Sequence, residues 1–346
     1  MIFRQLFDIT SGTYTYLIAS RAGGEALIVD PVFGHVDRYL KLIDELELRL
    51  VKAVDTHLHA DHVTGLGALR DQTSCVTVMG EQSQVDVVSM RVADGDRLVV
   101  EGISLDLIYT PGHTDDSYCL LMGDRVMTGD TLLIRGTGRT DFQNGDPRAQ
   151  YESLFGRLLK LPAETMVFPG HDYVGNTVST IGEEARCNPR LQVKSVDEYA
   201  DLMHGLKLAN PKMMDVAVPA NMRQGLAQES VAQDGGAVTA AEALALQASE
   251  TILLVDLREK SERARHGAIP GALHAPYTDI RDSMLPGGVI RSLAEASNRR
   301  IVFYCAFGER SAMTVLAARQ AGLANACHIQ GGLAAWRQAG GKPCLV

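Results

Sequence analysis

Apolar and polar positions change over in short blocks along the first half of the chain. The runs TYTYLIAS, EALIVDP, VKAVDTH, CVTVMG, LDLIYT, SYCLLM, RVMTGD and TMVFPG each end in a turn or polar loop, and each predicts a strand. Between them the period lengthens. Tyr39, Leu42, Ile43 and Leu46 stand at i, i+3, i+4 and i+7, the spacing of a helix with one core-facing side. Asp146 before Pro147 predicts another helix start, with Tyr151, Leu154, Phe155, Leu158 and Leu159 as its apolar face. Strands alternating with such helices over residues 1–225 predict one α/β domain.

The periodicity fades in GLAQESVAQDGGA, which is small and polar, so residues 226–237 are expected to be a linker. Thr239 and Glu242 then have capping-box spacing at the head of a new helix. Beyond it TILLVDLRE, RIVFYC and ACHIQ read as buried strands separated by helices, which makes residues 238–346 a second, smaller α/β domain.

Composition narrows the classes. A chain of 346 residues, 46% hydrophobic and 22% charged, is an ordinary globular protein with room for two cores. Its net charge of -9, with no Lys/Arg cluster, sets nucleic acid aside as a partner and disfavours acidic membranes. MIFRQLFDIT lacks the apolar core of a secretory signal, and no apolar run approaches the roughly 20 residues that span a bilayer. The six cysteines are scattered without a CxxC pair, which points to free thiols in a reducing cytoplasm.

Candidate chemistry concentrates in two places. Directly after the strand VKAVD come Thr56-His57-Leu58-His59-Ala60-Asp61-His62. Residues i and i+2 at a strand end project to the same side, so His57 and His59 can converge, and Asp61 and His62 follow. His113 in YTPGHTDDS, Asp130 in VMTGDTL and His171 in VFPGHDY each follow an apolar strand as well. Imidazoles and carboxylates together suit Zn, Fe or Mn better than Ca or Mg. In this order the motifs resemble the metallo-β-lactamase superfamily, which implies an αββα sandwich with metal at one sheet edge. RGTGRTDFQNGDP and DVAVPANMRQG resemble its persulfide dioxygenase branch in particular.

That resemblance implies one Fe(II) per chain, held by His57, His113 and Asp130, a 2-His-1-carboxylate set. His59, Asp61, His62, His171 and a buried Asp141 would orient the ligands from outside. Arg139 is implied as a recognition or scaffolding residue near a glutathione site, and Tyr173 as a phenol on the bound thiol. Spacing alone leaves a second set open, two zincs as in glyoxalase II. Asp116 stands where related GHT motifs often carry Gly nearby, and is expected to be harmless.

The second place follows RIVFY. Cys305-Ala306-Phe307-Gly308-Glu309-Arg310-Ser311 puts a thiol between a strand end and a helix N-terminus. Backbone N–H groups and the helix end favour the thiolate, the form that attacks sulfur and carries a persulfide. Arg310 would add a fixed positive charge. Four residues separate Cys305 from Arg310, and Cys-x-x-Gly-x-Arg resembles a rhodanese loop, whose domain is built on a parallel sheet. Asp256 to Glu259, His266 to Ala272, and Gly331-Gly332 with Trp336 resemble rhodanese signatures too, Trp336 being expected in the core. His35, His204, His266, His274 and His328 lack metal spacing and read as structural.

Together the resemblances imply an enzyme with two half-reactions. Glutathione persulfide would be oxidised by O₂ to sulfite and glutathione. Cys305 would move sulfane sulfur between thiosulfate or sulfite and glutathione or its persulfide. A homodimer is implied as the assembly. The alternative is a binuclear zinc thioester hydrolase carrying a rhodanese sulfur carrier.

Overall fold

The computed structural model describes residues 1–86, 88–142, 144–211, 213–223, 228–247, 251–297 and 299–346. The chain divides into two compact units, residues 1–224 and 225–346, with residues 87–89 belonging to the second.

Among the described residues the first unit holds twelve strands in two sheets. One sheet runs in the order β1 (Ile2–Phe7), β2 (Tyr14–Ala19), β3 (Glu25–Val29), β4 (Arg49–Val54), β5 (Val76–Gly80), β6 (Met90–Val92). The other contains β7 (Arg97–Val100), β8 (Ile103–Tyr109), β9 (Tyr118–Met122), β10 (Arg125–Gly129), β11 (Met166–Pro169) and β12 (Ser179–Thr180), ordered β12-β11-β10-β9-β8-β7. All eight predicted runs are strands. Every residue of β2 is buried, and Tyr16 packs edge-on against Phe168 across the two sheets with ring centres 5.9 Å apart. Two facing sheets of this kind are what the sequence resemblance implies.

Helix Val36–Glu45 buries Tyr39 and Ile43, as its spacing predicts. Asp146 caps the helix beginning at Pro147 by accepting from the Arg148 N–H. Leu154 and Leu158 from the turns that follow join Leu132, Val167 and Tyr199 in one core.

In the second unit β13 (Ala237–Val238), β14 (Ile252–Asp256), β15 (Leu273–His274), β16 (Arg300–Tyr304) and β17 (Cys327–Ile329) form a fully parallel sheet, ordered β13-β17-β16-β14-β15. Thr239 and Glu242 make the reciprocal capping hydrogen bonds. Part of the expected linker has structure: Gln228–Gln233 is helical, and Ala237–Val238 pairs with His328 and Ile329. Small polar residues carry no periodic signal, so only the partner strand reveals that pairing. Residues 226–227 of that stretch lie outside the described residues. Trp336 is 1% exposed, in the core with Val302, Tyr304 and Ile329.

Candidate active sites

In the first unit the parallel pairing of β3 with β4 sets Val29 beside Val54, so the residues just past both strand ends meet. Asp30 turns there with φ 50°, and its carboxylate accepts from Thr56 N (2.7 Å) and Thr56 Oγ1 (2.9 Å). With its hydrogen committed to Asp30, Thr56 Oγ1 accepts from His57 Nδ1 at 2.9 Å, leaving His57 Nε2 as a lone pair. His113 Nδ1 lies 2.7 Å from the Arg139 carbonyl oxygen. A carbonyl only accepts, so His113 also keeps Nε2 bare, 3.6 Å from Asp130 Oδ2.

One ligand atom from each of His57, His113 and Asp130 falls within 4.8 Å of the other two. Burial, with His59 and His113 alongside, pushes His57 well below the ordinary histidine value, so its ring is neutral. Burial works against the charge on Asp130, but His171, which attracts the carboxylate and hydrogen-bonds it, outweighs that and holds the carboxyl well below the usual carboxylate range. Two imidazoles and a carboxylate are donors fit for a transition-metal ion. Glycine makes the approach possible: a Cβ on Gly138 would lie 2.3 Å from the Asp130 carbonyl oxygen and 2.8 Å from the His113 ring, and one on Gly170 2.8 Å from Asp130 Oδ1.

His59, Asp61 and His62 form a second group with the same closeness. His59 Nδ1 and His62 Nε2 are buried without hydrogen-bond partners, the state of nitrogens facing a cation site. His171 differs. Its Nδ1 lies 2.7 Å from Asp130 Oδ1 and its Nε2 2.8 Å from Asp61 Oδ2, so both ring nitrogens are engaged.

One sequence expectation needs correction. Asp141 is not buried: half of its side chain is exposed, because its loop turns the carboxylate outward. It accepts from Arg139 at 2.5 and 2.6 Å. Arg139 also donates to Ala209 O at 2.7 Å and lies over Phe142 at 4.6 Å, so its guanidinium scaffolds the loop rather than standing free as a fork. Tyr173 is 73% exposed and stacks on His171 with ring centres 6.0 Å apart.

Other contributors were given no role from the sequence. Asn221, on the helix Met214–Met222, donates to His59 O and His62 O, each at 2.9 Å, and accepts from Thr64 N at 2.9 Å. Thr13 Oγ1 reaches His171 Nε2 at 3.0 Å. Asp116 is buried and accepts from Thr114 Oγ1 (2.7 Å) and Leu58 N (3.3 Å), tying the His113 loop to the His57 loop. Segment DVAVPANMRQG flagged the region of Asn221, but no spacing rule pointed to that side chain.

In the second unit Cys305 follows β16 and is 1% exposed. Gly308, at φ 99°, donates its backbone N–H to Cys305 Sγ at 3.1 Å and opens helix Glu309–Gln320. The N–H bond and the helix end both direct positive charge at the sulfur. Leu333 N and Ala334 N donate to the carbonyls of Cys305 and Ala306 at 2.9 and 3.1 Å, and a Cβ on Gly332 would lie 2.5 Å from Cys305 O. The Gly331-Gly332 pair is therefore a clamp on the loop. Phe307 reaches solvent, whereas Glu309, Arg310 and Ser311 are buried. The Arg310 charge is not free: its guanidinium donates to both Glu262 oxygens at 2.8 and 2.6 Å, leaving Nε buried without a partner.

The two units correspond to families of known proteins. The metallo-beta-lactamase superfamily matches residues 9–85 and 81–171, and the rhodanese-like domain matches residues 239–339. A Staphylococcus aureus metallo-beta-lactamase crystal structure, 21% identical, covers 95% of this chain and 98% of its own with a TM-score of 0.60, which speaks to fold alone. The protein is thus a metallo-β-lactamase fold joined to a rhodanese-like domain. Human persulfide dioxygenase ETHE1, mitochondrial, is 42% identical over 229 residues, 65% of this chain and 89% of the human protein. ETHE1 from Myxococcus xanthus, in its crystal structure, is 50% identical over 64% of this chain and 98% of its own, with a TM-score of 0.63. The chain belongs to the persulfide dioxygenase family, with a C-terminal rhodanese-like domain. Among the described residues no helix is long and apolar enough to cross a membrane.

Proposed function

We propose that residues 1–225 oxidise glutathione persulfide with O₂ and that residues 238–346 transfer sulfane sulfur through Cys305. The first reaction balances as persulfide, O₂ and water giving glutathione, sulfite and two protons, with the outer sulfur losing the electrons that O₂ gains. Bound among His57, His113 and Asp130, Fe(II) would supply the one-electron chemistry that O₂ requires and that side chains lack. Thr56 and the Arg139 carbonyl fix the tautomers of the two imidazoles. Asp30 in turn holds Thr56, and Asn221 and Asp116 hold the His57 loop.

In the second reaction thiosulfate loses its outer sulfur to the Cys305 thiolate and leaves as sulfite. Glutathione then takes that sulfur, or the sequence runs backwards. Gly308 N–H stabilises the sulfur anion, and Arg310 Nε is a donor available to an incoming anion. Both reactions suit a reducing cytoplasm, and the described cysteines are all free.

The observation that supports one ion most strongly is His171, whose two nitrogens are both held by carboxylates, while His57 and His113 each keep one bare. The orphaned nitrogens of His59 and His62 favour the second reading, a zinc pair acting on a glutathione thioester. Metal analysis of anaerobically purified protein, with an oxygen electrode and glutathione persulfide, separates them. One Fe per chain with oxygen uptake is expected; two Zn per chain with thioester turnover and no uptake would overturn the proposal.

A further inference from the structure

His328 has no metal spacing and sits in the middle of β17, yet it lies next to the sulfur chemistry. Its strand partner is Phe303 on β16, two residues before Cys305, and its ring is fully buried. Nδ1 lies 3.3 Å from Ser311 Oγ, which lies 3.7 Å from Cys305 Sγ and donates to Gly308 O at 3.0 Å. Nε2 is buried with no hydrogen-bond partner.

That orphan selects the tautomer. A hydrogen on Nε2 would be a buried donor with nothing to bond, whereas a bare Nε2 leaves a lone pair unmet, the lesser penalty. The hydrogen therefore belongs on Nδ1, where it donates to Ser311 Oγ. The serine needs no further donor on that side, and its own hydrogen can turn from Gly308 O to the neighbouring sulfur.

We propose that His328 is a positioning residue for Cys305, acting through Ser311 to aim a hydroxyl hydrogen at the sulfur when that sulfur is anionic. This rests on reading Cys305 as the sulfur carrier. Burial pushes His328 down to about 4 against the opposing pull of a backbone hydrogen bond at Ile329, with no charged group contributing, so the ring stays neutral while thiols titrate and acts as a fixed donor, not a base. Strands β13 and β16 offer it Ala237 and Phe303 as partners. The charges around Cys305 itself are Arg310 and Glu309 on the helix after the loop, and Glu262 across from Arg310. Removing His328 should thus shift the Cys305 titration without adding an ionisation to it.

The test is the pH profile of iodoacetamide alkylation at Cys305, read on its own peptide by mass spectrometry in the full chain, since Cys187 and Cys344 are exposed and react as well. One hydrogen bond at the thiolate corresponds to about one pKa unit. His328→Leu and Ser311→Ala should each raise the apparent value by about that much, the double variant no further, and His328→Asn, which keeps a donor near the Nδ1 position, should restore it. An unchanged profile in folded His328→Leu overturns the proposal. Should that variant not fold, ¹⁵N shifts of the wild-type imidazole decide, and a hydrogen found on Nε2 overturns it equally. Failure of the underlying reading looks different: thiosulfate–glutathione transfer would survive Cys305→Ser.

Discussion

The metal cluster and the sulfur loop are built in opposite ways. The seven candidate metal-site residues, His57, His59, Asp61, His62, His113, Asp130 and His171, arrive from four separate loops and meet only because strands pair side by side. The Cys305 loop is a single stretch, and its anion-stabilising N–H comes from Gly308 three residues on. A distributed site depends on whatever fixes each loop. A contiguous one is shaped by its own backbone and needs outside help only to stay clamped. The two should therefore fail separately, and from different causes.

The largest effect tests that separation. His113→Ala removes a ligand outright, so oxygen uptake with glutathione persulfide should fall by more than the roughly 10–100-fold that loss of an outer partner costs. Thiosulfate–glutathione transfer should be unchanged. Cys305→Ala should do the reverse, abolishing transfer and sparing oxygen uptake. Either variant losing both activities would break the contrast.

Next comes the clamp on the contiguous loop. Glu262 holds the fully buried Arg310 through two hydrogen bonds. Glu262→Gln leaves a buried guanidinium without its counter-charge, a change that destabilises by roughly 3–5 kcal/mol. Calorimetry should show the loss in the unfolding of the rhodanese-like unit, with metal content of the other unit intact. A loss of metal would mean the units are not independent.

A smaller effect comes from pH. His328 ionises at about 4 in the folded protein against 6.5 ordinarily. Between those values the unfolded chain takes up a proton that the folded chain refuses. Its contribution to stability is therefore complete above about pH 6.5 and is lost as the pH falls towards 4, by about 2–3 kcal/mol at pH 4.5. Urea unfolding at pH 7 and 4.5 reads the sum of such groups, His57 among them, and His328→Leu should shrink the difference by His328's share.

The same contrast explains what was legible in the sequence. The Cys305 loop, the Thr239 capping box and the Asp146 helix start are local patterns, and all were readable as such. The ligand candidates were legible because histidines are scarce and each follows a strand. Their supports were not. Asp30 looks like any acid at a strand end until β3 and β4 pair and bring it to Thr56. Asp116 read as a harmless departure, but its carboxylate joins two loops 58 positions apart. Asp141 was expected inside because the family resemblance implied it, and the loop instead turns the acid to solvent. Contacts at long sequence separation leave no period or spacing to read.

Asn221 gives the finest test of the distributed site, because it touches no metal ligand side chain. Its amide donates to the carbonyls of His59 and His62 and accepts from Thr64 N, so one side chain closes the turn of the HxHxDH segment from a helix some 160 residues away. Asn221→Ala removes all three bonds while leaving every candidate ligand in place. The loop should then be free to sample geometries in which His57 no longer faces His113 and Asp130, weakening metal affinity on the order of tenfold. Competition with a chelator measures that loss, and excess metal should restore oxygen uptake, which it cannot do for His113→Ala. An affinity unchanged from wild type would mean that the strand ends alone hold the loop, and that the first site is as self-contained as the second.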